Sequence, residues 1–317
     1  MLMFKRIASA FALMAGICAL AQSQDADATR PRAQAVAPGV WMVQGLSALG
    51  SSANRNFVSN AGFVVTQDSV VVIDALGSPE LARELRAEIA RITPKPVSHV
   101  IVTHYHADHI YGLQTFKDAG AVVVAHRQGL AYLNSDTAAL RLKASREELF
   151  PWIDESTRLV GADLWLDGPT ALRVGGTVLQ LQPAGPAHTP EDLVVWLPQQ
   201  RTLFAGDLVF RGRIPFVGQA DSAHWIDSLQ ALLAFDAQVV VPGHGPPSGS
   251  PREDLQMTRD YLAYLRRTMG EAALNLDPFD EAYARTDWSR FEKLPLFAVA
   301  NRMNAYNTYL LMEQAGK

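Results

Sequence analysis

The sequence has 317 residues, 48% of them apolar and 19% charged, which suits a globular protein with a sizeable core and excludes a disordered chain. Its net charge of −4 provides no basic field for phosphates, so nucleic acid is not an expected partner. The length permits one large domain or two small ones.

Lys5 and Arg6 precede an apolar run from Ile7 to Leu20, and Ala19-Leu20-Ala21 places small side chains where signal peptidase reads. Residues 1–21 are therefore expected to be a signal peptide, with the mature chain starting near Gln22 in the periplasm or outside the cell. The run is short for a bilayer span, so no membrane span is expected after cleavage. Cys18, the single cysteine, lies in this leader; the mature chain would then have neither a disulfide nor a thiolate to ligate metal. Residues 22–35 read as a flexible tail, 36–250 as the main domain, and 251–317 as C-terminal helices packed on that domain.

Short β-rich runs follow in two groups. The first holds Val40–Val43, Phe57–Ser59, Phe63–Val65 and Val70–Ile73, joined after a helix by His99–Val102. The second holds Leu172–Val174, Val178–Leu181, Leu193–Leu197 and Thr202–Phe204, joined after another helix by Val239–Val241. Ser78 and Pro79 open a helix whose Leu81, Leu85 and Ile89 repeat every four residues. Residues 127–160 read as largely helical, and Trp225, Ile226, Leu229, Leu232 and Leu233 form another apolar face. Ser250-Pro251-Arg252-Glu253 has the pattern of a capping box, with Gly270 as a stop. Each group of strands is followed by helices that must cover one face of it. An α+β fold, a four-layer αββα sandwich, satisfies both halves better than a doubly wound sheet.

Three of the eight histidines fall within six residues, in Thr103-His104-Tyr105-His106-Ala107-Asp108-His109, directly after an apolar strand. Alternate residues of an extended segment share a face, so His104 and His106 can hold one ion while Asp108 and His109 point to a second. Imidazoles and a carboxylate suit zinc, and also manganese or iron. His188, Asp207 and His244 each sit near a glycine at a strand end, in Gly185-Pro186-Ala187-His188, Gly206-Asp207 and Gly243-His244-Gly245.

The series His-x-His-x-Asp-His, lone His, Gly-Asp and Gly-His-Gly resembles the metallo-β-lactamase superfamily over roughly residues 36–250. Within it the chain is most similar to oxygen-bridged enzymes such as hydroxyacylglutathione hydrolases, and to periplasmic zinc hydrolases found alongside quinoprotein dehydrogenases. The resemblance implies that His104, His106 and His188 bind a first zinc ion. Asp108, His109 and His244 would bind a second, Asp207 would bridge the two, and Asp74 would orient ligands from behind. Two ions sharing one water lower its pKa from about 15.7 toward roughly 7. The resulting bridging hydroxide would attack a small-molecule substrate at an acyl bond (lactone, ester, thioester or β-lactam), with Asp108 as the catalytic carboxylate.

Two other readings use the same residues. One is a mononuclear iron dioxygenase of sulfur compounds on the same fold; the other is a zinc-binding protein without catalysis. His99, His126 and His224 lie outside the pattern and read as ordinary hydrogen-bonded or surface residues. Tyr105 and Tyr111 either line the site or pack in the core. Arg211 and Arg213 either hold a substrate carboxylate or sit in a solvated loop. The run around Asn301–Tyr306 reads as a packing helix from which Arg302 or Asn304 can reach the pocket. Pocket specificity is expected in loops 44–57 and 127–168.

Overall fold

A computed structural model describes residues 29–315; the expected signal peptide lies outside these residues. β1 (Ala33–Ala37), β2 (Val40–Val43), β3 (Ala61–Val65) and β4 (Val70–Ile73) form an antiparallel meander. Helix α1 (Pro79–Ile92) crosses to β5 (Val97–Ile101), which runs parallel to β4. Helices α2 (Ala107–Ile110) and α3 (Leu113–Lys117) lead to β6 (Val122–His126). Helices α4 (Gly129–Leu133) and α5 (Asp136–Glu148) then lead to β7 (Leu164–Leu166), and the seven strands lie in chain order.

A second sheet is built from β8 (Thr170–Val174), β9 (Thr177–Pro183), β10 (Leu193–Leu197), β11 (Thr202–Phe210) and β12 (Val239–His244). Its order is β12-β11-β10-β9-β8, antiparallel except for β11 and β12, which are parallel because α6 (Ser222–Leu232) carries the chain between them. Three helices complete the fold: α7 (Pro251–Leu274), α8 (Phe279–Arg285) and α9 (Phe297–Ala315). Among the described residues no helix is long and apolar enough to cross a membrane.

Side-chain alternation divides the central strands between layers. In β4, Val70 and Val72 face the helices of the first half, whereas Val71 and Ile73 face the second sheet. In β10, Val194 and Trp196 face the helices of the second half, and Leu193, Val195 and Leu197 face the first sheet. Burial on both faces is why these strands read as unbroken apolar runs. The result is the expected αββα sandwich, with one apolar layer between the sheets and one under the helices on either side.

Helix α1 forms as its sequence dictates. Ser78 Oγ accepts from the Leu81 N–H at 3.2 Å, Pro79 opens the first turn, and Leu81, Leu85 and Ile89 are buried. Elsewhere the structure departs from the sequence reading. Ala33–Ala35, assigned to the tail, pair with β2 as part of an edge strand that is mostly half-exposed and so lacks a clear apolar pattern. β6, a mostly apolar run of five residues, and β7, whose three residues are too short to carry a pattern, are also absent from the sequence reading. Phe57–Ser59 is a loop, not a strand.

The capping box at Ser250 does not form, because its side chain makes no cap hydrogen bond. Helix α7 also runs past Gly270 to Leu274. Gly270 lies inside the helix and packs against the Met312 side chain of α9 rather than ending α7.

Phe204 is a large buried side chain in the layer shared by the two sheets. Phe204→Ala is expected to cost about 3–5 kcal/mol of unfolding free energy, measured by chemical denaturation. A loss near zero would mean that this layer does not hold the sheets together.

Candidate metal centre

The site forms where the C-terminal ends of β5, β11 and β12 meet. All seven residues singled out in the sequence converge there. The ligand-capable atoms of His104, His106, His188 and Asp207 lie within 4.8 Å of one another, as do those of Asp108, His109 and His244. Asp207 is the hub: its Oδ2 stands 3.4 Å from His188 Nε2 and 3.2 Å from His244 Nε2, and its Oδ1 3.2 Å from His109 Nε2. Asp108 Oδ2 lies 3.3 Å from His244 Nε2, and His106 Nδ1 lies 3.0 Å from His188 Nε2.

Asp74 orients both groups. It follows β4 in the left-handed region (φ 60°), which aims its carboxylate across to the metal loop. Its Oδ1 accepts from the Thr103 N–H at 2.8 Å, and its Oδ2 accepts from Thr103 Oγ1 at 2.8 Å. With that hydroxyl proton committed, Thr103 Oγ1 can only accept from His104 Nδ1, 3.1 Å away. Asp74 Oδ2 also accepts from His109 Nδ1 at 2.9 Å. Both rings are thereby held with Nε2 toward Asp207.

Other contacts hold the remaining pieces. Glu191 Oε1 accepts from the Tyr105 N–H at 3.0 Å, and Asp192 accepts from both the N–H and the hydroxyl of Thr189. A Cβ at Gly243 would fall 1.9 Å from Asp207 Oδ1, so only glycine lets β12 pass the hub.

Burial pushes His104 and His106 below the ordinary histidine pKa and takes His188 down to about 3. These rings are neutral, which is the form that ligates metal. Burial also disfavours charge on His109, but Asp207, Asp108 and Asp74 outweigh it and raise its pKa well above the usual value. Burial opposes ionisation of Asp207, yet His244 and His109 hold its carboxyl well below the usual range. Meanwhile His104 Nε2, His109 Nε2 and Asp207 Oδ1 are buried without a hydrogen-bond partner. Unpartnered imidazole nitrogens and a carboxylate oxygen, gathered in two groups that share Asp207, fit divalent cations once His109 gives up its proton.

The site forms the floor of a cleft of about 860 Å³. Its walls carry Leu49 and Val58 from the 44–57 region and its edge, Gln128, Tyr132 and Arg141 from the 127–168 region, and Arg213, Phe216 and Val217 from a third segment. Sequence reading did not anticipate Phe216 and Val217; only Arg213 flagged that segment. Arg211 bonds to Asp254 and the Pro247 carbonyl, a structural role. Arg213 is buried beside His244 and packs over Phe210 and Phe216. Tyr105 and Tyr111 are core residues. Arg302 pairs with Asp280 at the surface, whereas Asn304 bonds to the Val217 N–H and the Pro215 carbonyl and so braces the cleft wall from behind. His99, His126 and His224 belong to neither group of converging ligand atoms.

Residues 54–244 match the family described as the metallo-beta-lactamase superfamily. A type 2 metallo-beta-lactamase of a Bacillus species is 32% identical over 198 residues, covering 61% of this chain and 69% of that protein. A linear primary-alkylsulfatase of a Pseudomonas species is 28% identical over 235 residues, covering 62% of this chain but only 44% of the sulfatase. The solved structure of a metallo-beta-lactamase from Pontibacter korlensis is 26% identical with a TM-score of 0.57, covering 74% of this chain and 99% of that one. The chain belongs to the metallo-beta-lactamase superfamily. By class it is a metal-dependent hydrolase.

Asp74→Asn keeps a residue that tolerates left-handed backbone but removes the charge shared by Thr103 and His109. It is expected to weaken cation binding by about 10- to 100-fold, measured by chelator competition. Because Asp207, Asp108 and Asp74 favour the protonated form of His109, which must lose that proton to ligate, wild-type affinity should rise with pH. A pH-independent affinity would contradict this electrostatic picture.

Proposed function

We propose that the protein is a dinuclear zinc hydrolase that opens an acyl bond in a small molecule, acting in the periplasm or outside the cell. The observation that carries this reading is the meeting of two ligand groups at Asp207 on the floor of an open cleft. The leader-like pattern of residues 1–21 supports the location.

His104, His106 and His188 would hold one ion, Asp108, His109 and His244 the other, and Asp207 both. A pair of bound divalent ions supplies a water of lowered pKa and a Lewis acid for a carbonyl oxygen. Asp108 lies on the cleft floor and is partly exposed, so its carboxylate can orient a water and receive or return a proton. Burial opposes its ionisation, but His109 and His244 beside it outweigh burial and favour the carboxylate. Asp74 keeps His104 and His109 in the tautomer that presents Nε2.

Arg213 brings a guanidinium to the cleft wall next to His244. It suits a substrate with a negative group near the scissile bond, held by a two-pronged contact. Leu49, Val58, Tyr132 and Phe216 offer apolar surface to the remainder of the substrate.

A second reading moves the attack from an acyl carbon to sulfur. The guanidinium of Arg213 matches a sulfate ester as well as a carboxylate, and one relative is a linear primary-alkylsulfatase.

A panel of ester, thioester, lactone, β-lactam and alkyl sulfate substrates separates the two readings, with metal analysis alongside. Turnover should vanish with chelator and return with zinc, at two zinc ions per chain. One iron per chain with oxygen-dependent oxidation of a sulfur compound would replace hydrolysis with dioxygenation. Asp207→Ala should lower both zinc content and kcat, and an unchanged rate would refute the scheme. Arg213→Ala should raise KM for anionic substrates about tenfold or more while sparing neutral ones.

A further inference from the structure

The loop Val58-Ser59-Asn60, between the 44–57 segment and β3, bonds to the residues behind one half of the metal centre. Asn60 is buried, and its side-chain amide donates to two carbonyls, Pro242 at 2.8 Å and Gly245 at 2.7 Å. These carbonyls flank Gly243 and His244. The Asn60 backbone N–H donates to the Gly243 carbonyl at 2.8 Å, so three carbonyls of this one turn are held by a single residue. Asn60 Oδ1 accepts from the Gly45 N–H at 3.1 Å, which ties the amide to a second loop and fixes its orientation.

The two preceding residues add to the grip. The Val58 carbonyl accepts from His244 Nδ1 at 2.7 Å and so directs His244 Nε2 toward Asp108 and Asp207. Ser59 Oγ, fully buried, donates to the Asp108 backbone carbonyl at 2.5 Å. His104 is oriented instead by Thr103, while His106 and His188 contact each other.

We infer that Ser59 and Asn60 are positioning residues that set the affinity of the second ion, the one assigned to Asp108, His109 and His244, independently of the first. This rests on the two-ion reading. The physical reason is pre-organisation: a His and an Asp from chain segments more than 130 residues apart share an ion only if both loops are held at the right separation, and the 58–60 segment spans that gap with five hydrogen bonds. A loosened 242–245 turn would leave Asp108, His109 and the shared Asp207 without the His244 ligand.

The test is zinc titration of metal-free full-length protein by calorimetry, backed by competition with a chromophoric chelator, which needs no substrate. Asn60→Leu keeps the size of the side chain and removes its donors. It should weaken the second zinc by about tenfold or more and leave the first within about twofold. Ser59→Ala, a smaller change that serves if Asn60→Leu does not fold, should shift the second zinc in the same direction by less. Equal weakening of both sites, or no change in either, would overturn the inference. A wild-type protein that binds a single ion would instead overturn the two-ion reading beneath it.

Discussion

The structure depends on a concentration of buried charge that the protein cannot neutralise by itself. Asp74, Asp108 and Asp207 are linked through the imidazoles of His109 and His244, in a place where burial opposes the ionisation of Asp108 and Asp207. Protonation of His109 offsets part of this charge. Divalent cations would offset it while leaving each ring neutral. The neighbouring elements are shaped by that demand: a left-handed Asp74, a glycine where β12 passes Asp207, and three loops bonded to each other rather than to solvent.

The two halves of the sandwich divide this task unequally. The first half supplies Asp74, the His104–His109 loop and the 58–60 segment; the second supplies His188 from the β9–β10 loop, Asp207 from within β11 and His244 from the end of β12. Backbone bonds cross the seam, from the Leu193 N–H to the Thr103 carbonyl and from the Asn60 N–H to the Gly243 carbonyl. The inter-sheet apolar layer therefore does more than stabilise the fold. It sets the distance between two sets of ligands that are incomplete when apart.

Much of this was legible in the residue order, and the reason is chemical. Metal ligation admits few side chains, so the clustered His104, His106, Asp108 and His109 stood out locally, and His188, Asp207 and His244 stood out by their glycine-flanked strand ends. Strands buried on both faces, such as β4 and β10, announced themselves as continuous apolar runs. What stayed hidden has a different character. The half-exposed edge strand β1 and the three-residue β7 carry almost no pattern, and Gly270 looked like a helix stop because its partner Met312 lies 42 positions away. Asn60 gave no signal either, since its meaning lies in carbonyls 182 and 185 residues further along the chain.

The cleft follows the same division between local chemistry and distant contact. Arg211 and Arg213 are indistinguishable in sequence, two cations separated by a glycine, yet one neutralises Asp254 and the other lies beside His244 Nδ1 in the cleft wall. A guanidinium is expensive to bury without an anion, and the carboxylates near Arg213 are those that would ligate metal. Once cations draw on those carboxylates, Arg213 is left facing a cleft whose floor and wall are both positive. The proposed anionic substrate group would then be the partner that balances the site. Asn304 holds Val217 and Pro215 in place behind that wall, so the C-terminal helix fixes the shape of the cleft from outside it.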